Sequence, residues 1–277
     1  AHRLYKILVY KDHENYWASR EYISYLEKEN TPESKAEALQ IAIKHNNPSS
    51  IGFDDFIEMG DALYYGEKGY DINKKLAVEC YIKKALKGNV LSMYLYAAML
   101  KNGDGVQKDE MKAAYLFEKA DDEKDKDIMY SFAQRLYDGK GIKADKKIAA
   151  QYIKKSALLG KIEAINRYAN MLYDGEEFEV DKKEAARFYK INSENLRQFG
   201  FIFSFLKEST EKLANMLYYG DGIDQNKHEA AMYYKKLTCE GYEDDMIKYT
   251  NMLLNGDGIA QDKEKAAHIL RVYANYN

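Results

Sequence analysis

Cysteine and proline are both scarce in this sequence, and each scarcity excludes a class of structure. The 277 residues include two cysteines, Cys80 and Cys239, too few for a disulfide-stapled secreted repeat protein. We therefore expect both to be reduced and partly buried in helices. This favours an intracellular location, cytoplasmic or nuclear, although the lumen of the secretory pathway stays open. Two prolines, Pro32 and Pro48, lie in the first fifth of the chain, so helices can form throughout the remainder.

An excess of one charge and a long apolar run are also missing. Lys and Arg total 42 against 45 for Asp and Glu, and the two signs are interleaved along the whole chain. A nucleic-acid partner needs a basic patch, so none is expected. No apolar run approaches the roughly 20 residues that span a bilayer, which predicts no direct membrane insertion. The five histidines show no metal-ligand spacing, so we expect no metal and no cofactor.

Glycine, by contrast, recurs at a fixed interval. The glycines that follow an apolar helical run are 37, 36, 36, 45 and 36 residues apart, and alanines that open a later helix keep nearly the same steps. The glycines are Gly66, Gly103, Gly139, Gly175, Gly220 and Gly256, and the alanines are Ala77, Ala113, Ala149, Ala185, Ala230 and Ala266. Two independent markers that share one period and one nine-residue insertion predict a repeat array.

Each repeat reads as a helix, a glycine turn and a second helix. The glycine supplies the left-handed backbone that ends the first helix at low steric cost. An Asp or Asn, such as Asn226, then provides an N-cap for the second helix, which opens with Ala-Ala and carries aromatic residues. Small residues let the two helices approach closely, and aromatic side chains can fill the space between hairpins.

This motif, Gly-x-Gly-apolar followed by Asp-x-x-x-Ala-Ala and an aromatic pair, resembles the Sel-1-like repeat of the tetratricopeptide-like helical solenoids. The resemblance covers residues 55–277 and implies an all-α fold, a right-handed superhelical solenoid of antiparallel helix pairs. The six predicted repeats are residues 55–89, 90–125, 126–161, 162–201, 202–241 and 242–277. Residues 1–54 lack the glycine pattern, and we predict that they form a helical N-terminal cap with Trp17 in its core.

Two positions depart from the repeat pattern. In the fourth repeat Glu177 replaces the second glycine of the turn, so we expect a left-handed, strained residue there. The second departure is the insertion at residues 192–209, where Phe199, Phe201, Phe203 and Phe205 concentrate apolar surface. A homo-oligomer would form through this insertion or through the C-terminal end.

The resemblance implies a non-catalytic adaptor or scaffold that binds a protein or peptide partner in its concave groove. No Ser/His/Asp or Cys/His pairing and no phosphate-binding glycine loop is recognisable, so we predict no catalytic residue and no enzyme activity. The first helix of each pair is expected to line the groove with an amide row and a tyrosine row. The predicted groove residues are Gln134, Tyr137, Asn170, Tyr173, Asn215, Tyr218 and Asn251.

The chemistry of the two rows suits an extended peptide. Each amide can donate to and accept from a peptide backbone, and tyrosine offers broad contact area with one polar group. The competing interpretation is that the amides only solvate the surface while the tyrosines pack between repeats. Two other functions stay open: an interaction module cut from a larger multidomain or membrane-anchored protein, and a secreted repeat-type hydrolase or carbohydrate-binding protein. The lack of paired cysteines argues against the last of these.

Overall fold

The computed structural model describes residues 2–11, 16–194 and 204–276, which form fifteen α-helices, one 3₁₀ turn and the connections between them, without a β-strand. The helices are α1 (His2–Lys11), α2 (Tyr16–Glu29), α3 (Pro32–Lys44), α4 (Phe56–Tyr65), α5 (Lys74–Ala85), α6 (Val90–Asn102), α7 (Glu110–Asp121), α8 (Lys126–Asp138), α9 (Lys146–Leu158), α10 (Ile162–Asp174), α11 (Lys182–Glu194), α12 (Ser204–Tyr219), α13 (Lys227–Cys239), α14 (Glu243–Asn255) and α15 (Lys263–Tyr276). None of these helices combines the length and the apolar character needed to cross a bilayer.

The chain divides into two compact units, Ala1–Tyr152 and Ile153–Asn277, and the boundary falls inside α9. In unit 1, consecutive helices pack from α1 to α3 and again from α4 to α7, and α6 also contacts α8. In unit 2, consecutive helices pack from α10 to α15. Each repeat is therefore a pair made of a first helix (α4, α6, α8, α10, α12 or α14) and the second helix that follows it.

Turn chemistry explains where the first helices end. All six turn glycines have positive φ, from 69° at Gly256 to 80° at Gly175. At all six turns a backbone N–H of the glycine or its successor bonds back to the helix, as when Gly175 donates to the carbonyl of Met171 at 2.9 Å. The second helices start on side-chain caps, for example at Asn226, whose Oδ1 accepts from the amide of Glu229 at 3.0 Å.

Small residues and aromatic rings share the core as close packing requires. In unit 1 the rings of Tyr94 and Phe132 stack at 4.7 Å between centroids, and Tyr152 meets Phe132 edge-on at 4.9 Å. In unit 2 Tyr168 and Phe188 make an edge-on pair at 4.9 Å. The six alanines of the repeat pattern, Ala77, Ala113, Ala149, Ala185, Ala230 and Ala266, are buried, so the helices of each pair can approach closely.

Three expectations drawn from single residues need correction or fall outside the description. Trp17 is 59% exposed and stacks edge-on with Tyr5 on the surface, so it is not a core residue of the N-terminal segment. Cys80 is buried as expected, and burial raises the pKa of its thiol, but Cys239 is exposed. Of the phenylalanines predicted to concentrate at the insertion, Phe199, Phe201 and Phe203 lie outside the described residues, and Phe205 is partly buried.

Glu177 adopts the left-handed conformation expected from the sequence, with φ of 58°. We predict that Glu177→Gly raises the free energy of unfolding by about 1 kcal/mol, because glycine has no Cβ to strain at positive φ. Urea unfolding followed by far-UV circular dichroism measures the change. Glu179→Gly is the matched control: Glu179 does not have a positive φ, so glycine there should lower stability. Equal or lower stability of the Glu177 variant would show that the turn is not strained.

Candidate protein-binding surface

The predicted amide row takes one residue from each first helix. This residue directly follows the buried small residue that faces the second helix. In repeat four this position is Asn170, which is half-buried. Its Oδ1 accepts from the Tyr189 hydroxyl at 2.7 Å and from Lys212 Nζ at 2.9 Å, and its amide nitrogen donates to Glu208 at 3.0 Å. Burial raises the pKa of Tyr189, so its hydroxyl stays a donor. Both the oxygen and the nitrogen of the Asn170 amide group are thus bonded within the chain.

The same arrangement recurs in repeat five. Asn215 Oδ1 accepts from the Tyr234 hydroxyl at 2.7 Å and from Lys248 Nζ at 3.3 Å. Lys248 also lies 3.3 Å from a carboxylate oxygen of Glu211, which partly balances its charge. In both repeats the amide joins the second helix of its own hairpin to the first helix of the next.

Gln134 and Asn251 differ from these two amides. Both are exposed, and neither bonds to any residue that the structure describes. The sequence register gives the reason, because the position that holds Tyr189 and Tyr234 in repeats four and five holds Ile153 in repeat three and Leu270 in repeat six. Without the tyrosine hydroxyl, the amide group keeps its donors and acceptor available.

The tyrosine row packs between successive hairpins. The Tyr173 hydroxyl donates to Asp221 Oδ2 at 2.5 Å, while Lys182 Nζ contacts the same carboxylate and lies 4.8 Å above the Tyr173 ring. Hydrogen bonding to Asp221 raises the pKa of Tyr173, and Lys182 is the main reason why the pKa of Asp221 is lowered. We call this Tyr–Lys–Asp group a turn clasp, because its aspartate belongs to the glycine turn of the next repeat.

Among the residues that the structure describes, the turn clasp occurs three times, twice in unit 2 and once in unit 1. Its members are Tyr173–Lys182–Asp221, Tyr218–Lys227–Asp257 and Tyr64–Lys74–Asp104. Tyr137 has part of the arrangement, with Lys146 Nζ 4.9 Å above its ring. Sequence reasoning missed the lysines and aspartates, although the lysine at the start of the second helix and the Gly-Asp-Gly turn recur in register. For Tyr173 and Tyr218 the contacts favour the interpretation that the tyrosines pack between repeats.

Two predicted groove residues of unit 2 do meet at one cavity. A polar cavity of about 210 Å³ is bordered by Tyr218, Tyr219, Tyr234, Lys248, Asn251, Met252, Asn255 and Asp257. Asn255, like Asn251, is exposed, and its side chain bonds to no described residue. We call the part of this lining formed by the half-buried Tyr218 and the exposed Tyr219, Asn251 and Asn255 the amide surface.

In repeat one of unit 1 the position of the amide row is occupied by an acid that forms an ion pair. Asp61 holds the place of the amide in repeat one, and it accepts from the buried Tyr81 hydroxyl at 2.8 Å. Arg135 of repeat three reaches both oxygens of Asp61, at 2.6 and 2.8 Å. The glycine turn of repeat three lies beside this pair, since the backbone N–H of Gly141 donates to the Tyr65 hydroxyl at 3.0 Å. No group of three or more His, Cys, Asp or Glu in the described part of the chain is placed to hold a metal ion.

Comparison with known proteins identifies the type of repeat. The family model for the Sel1 repeat matches more than half of the chain, at residues 57–89, 90–120, 129–161, 162–191, 208–242 and 251–271. A search of curated proteins found no match. The fold is therefore an all-helical repeat solenoid in which the Sel1 motif supplies each hairpin.

Two solved structures are similar to this chain at low sequence identity. A protective antigen present in uropathogenic Escherichia coli strains, which displays an SLR fold, is 19% identical with a TM-score of 0.50; the alignment covers 100% of this chain and 56% of that one. The chain thus spans little more than half the length of that protein. A Sel1 repeat protein from Oxalobacter formigenes is 21% identical with a TM-score of 0.42, over 93% of this chain and 100% of that one. At 19% identity the likeness to the antigen shows the fold alone.

Proposed function

Because the chain belongs to the Sel1 repeat family, we propose that it works as an adaptor that binds an extended segment of a partner protein at the amide surface of unit 2. Sel1 repeat proteins generally mediate protein–protein interactions and are typically non-catalytic scaffolds. The observation that carries the proposal is that Asn251 and Asn255, both without a partner among the described residues, border the same cavity as Tyr218.

The spacing of the two asparagines fits a peptide backbone. Residues four apart on a helix lie on one face, about 6 Å apart along the axis. In an extended chain, alternate residues point the same way and are about 6.6 Å apart. Asn251 and Asn255 can therefore each bond a peptide group of alternate residues, as donor and acceptor together.

The tyrosines supply the apolar part of the contact. Tyr219 is 70% exposed and lies edge-on to Tyr218, with their ring centroids 4.8 Å apart. Tyrosine loses little side-chain entropy when it is covered, so two adjacent rings are a favourable contact area. Asp257 is balanced by Lys227, and Lys248 by Glu211, so binding should depend little on salt.

The proposal is tested with peptides selected against the whole chain from a random displayed library. For a selected peptide we predict that Asn251→Leu and Asn255→Leu each raise Kd about tenfold, since each removes hydrogen bonds worth roughly 1–1.5 kcal/mol. Isothermal titration calorimetry measures Kd, and a Kd that changes little between low and high salt is also expected. Lys235→Ala, an exposed change on α13 away from the cavity, is the control. Peptides that bind both asparagine variants as tightly as the unaltered chain would refute the proposal.

A further inference from the structure

A groove lies between the second helices of repeats four and five, α11 and α13, which both pack against α12. It encloses about 530 Å³, and its lining includes Lys190 on α11 and His228, Glu229, Met232, Tyr233 and Lys236 on α13. We call these six residues the α11–α13 groove. The groove and the amide surface share no residue, so this inference stands apart from the proposed function.

Side chains join the two walls of the groove at two places. Lys190 Nζ bonds a carboxylate oxygen of Glu229 at 3.1 Å. Lys236, two helical turns after Glu229, donates to the backbone carbonyl of Ser193 on α11. Because these bonds already link α11 to α13, a partner meets a groove whose walls need little ordering on binding.

Two large side chains of α13 form the apolar part of the groove. Met232 is 62% exposed, although its register holds a polar residue in four of the other five repeats. Those four residues are Glu79, Gln151, Arg187 and His268. Tyr233 is half-buried, whereas Phe188, at the same register of α11, is only 2% exposed. The two neighbouring side chains therefore offer contact area that the equivalent positions of α11 do not.

The charge around this apolar area is mainly positive. Lys190 and Lys236 both line the groove, and the acid that lines it, Glu229, is bonded by Lys190 and by the side-chain amide of Asn226, each at 3.1 Å. Lys236 bonds a neutral backbone carbonyl, and an ammonium group carries three donors. The groove can therefore bind acidic groups on either side of an apolar contact.

We propose that the α11–α13 groove docks an amphipathic helix of another protein, one that carries a large apolar residue flanked by acids. The apolar residue covers Met232 and Tyr233, while the carboxylates accept hydrogen bonds from the two lysines. A helix fits this arrangement because residues three and four apart share one face, so acids can flank an apolar stripe that enters a groove. A bilayer or a nucleic-acid backbone would meet the lysines without filling the apolar space.

A second copy of this chain could also offer an apolar residue beside acids. Ile247 on α14 is 43% exposed, and the exposed Asp244 stands three residues before it. However, α14 and the α11–α13 groove are different surfaces of the chain. Such a contact would join copies head to tail, in a ring or an open filament, and not in the two-fold dimer that is commonest among oligomers. We therefore assign the groove to a different protein.

The probe is a displayed library of helical peptides, selected on the full chain and then screened on the Met232→Asp variant. Met232 is exposed, so this variant should fold, and far-UV circular dichroism checks that it does. Peptides that bind the unaltered chain but not the variant are the groove-dependent set. We expect the members of this set to share a large apolar residue with Asp or Glu three or four positions away.

A charge exchange identifies the ion pair. For a groove-dependent peptide, Lys236→Glu should raise Kd about tenfold, because it replaces an attraction by a repulsion. When each acid of the peptide is changed to lysine in turn, one of the changed peptides should bind the Lys236→Glu variant more tightly than the unaltered chain. Lys235→Met, an exposed change on α13 outside the described lining, is the matched control and should leave Kd unchanged. Asn251→Leu should also have no effect, which separates this site from the amide surface.

Several outcomes would overturn the proposal. They are a selection that yields no groove-dependent peptide, a groove-dependent set without acids, and a charge exchange in which no changed peptide recovers binding. Vesicles rich in phosphatidylserine and single-stranded oligo-dT are tested in parallel, and binding of either that Lys236→Glu abolishes would refute a protein partner. Sedimentation of the full chain should show no concentration-dependent association. An oligomer that Met232→Asp dissolves would identify a second copy as the occupant and refute the partner proposed here.

Discussion

Asp61→Ala is expected to lower the free energy of unfolding of unit 1 by about 3 kcal/mol, the largest loss that we predict for a single substitution. Asp61 is buried, and it binds Arg135 through both carboxylate oxygens as well as the fully buried Tyr81 hydroxyl. Alanine would leave the guanidinium of Arg135, which is largely buried, without its counter-charge. It would also remove the carboxylate that accepts the hydrogen bond of the Tyr81 hydroxyl. Leaving a buried charge unpaired costs far more than the ion pair itself contributes.

Urea unfolding of the full chain, followed by circular dichroism, measures this loss. The double variant Asp61→Ala with Arg135→Leu should recover a substantial part of it, because the uncompensated charge is then gone. Asp138→Ala, which removes an exposed acid at the end of α8, is the control and should change stability by less than about 0.5 kcal/mol. If the Asp61 variant unfolds within 1 kcal/mol of the unaltered chain, then this ion pair does not hold the hairpins of unit 1 together.

The repeat itself could be predicted from the sequence because its signals are local. A glycine such as Gly175 ends a helix by its own backbone preference, and Asn226 caps the next helix with its own side chain. The left-handed backbone of Glu177 was predictable for the same reason, since one residue in a known turn register decides it. Such features need no knowledge of how hairpins lie against each other.

The candidate site was only partly predictable, because the partners of a groove residue lie on other helices. Asn170 and Asn251 look alike in sequence, yet the first is bonded by Tyr189 and Lys212 while the second has no described partner. The signal was present in the sequence: a tyrosine stands 19 residues after each bonded asparagine and is replaced by Leu270 after Asn251. Reading it required the geometry of the hairpin.

Contacts that skip a repeat could not be predicted at all. Asp61 and Arg135 are separated by 74 residues and belong to repeats one and three. Their approach depends on how far each hairpin rotates relative to the last, and a period of 36 residues does not specify that rotation. The same limit applies to Trp17, because amphipathic spacing shows that a helix has an apolar face but does not show what covers it.

Asp245 is a buried acidic residue, and its protonation makes the stability of the chain depend on pH. It is fully buried near the start of α14, and neither carboxylate oxygen makes a hydrogen bond to a described residue. One repeat earlier the same position holds Ser209, which donates to Asn166 at 2.6 Å. Burial, with a further contribution from Glu211, raises the pKa of Asp245 to about 6, although Lys248 opposes the shift from 3.9 Å away.

The sign of the effect follows from proton binding. Between the ordinary pKa of 3.8 and about 6, the folded chain holds a proton on Asp245 that the unfolded chain has lost. The stability contributed by this group therefore falls as the pH rises through that window, and the penalty is complete above it. A shift of about two pKa units corresponds to roughly 3 kcal/mol, because each unit is worth about 1.4 kcal/mol.

We therefore expect Asp245→Ser to raise the free energy of unfolding by about 2 kcal/mol at pH 7 and by much less at pH 4.5. A serine hydroxyl already occupies the equivalent buried position at Ser209. The expected gain is smaller than 3 kcal/mol because the substitution also removes the contact with Lys248. Urea unfolding of both chains at the two pH values measures the difference, and Asp244→Ser, an exposed change one residue earlier, is the control. A gain that is equal at both pH values would mean that folding does not raise the pKa of Asp245, and a loss at pH 7 would mean that the carboxylate stabilises α14.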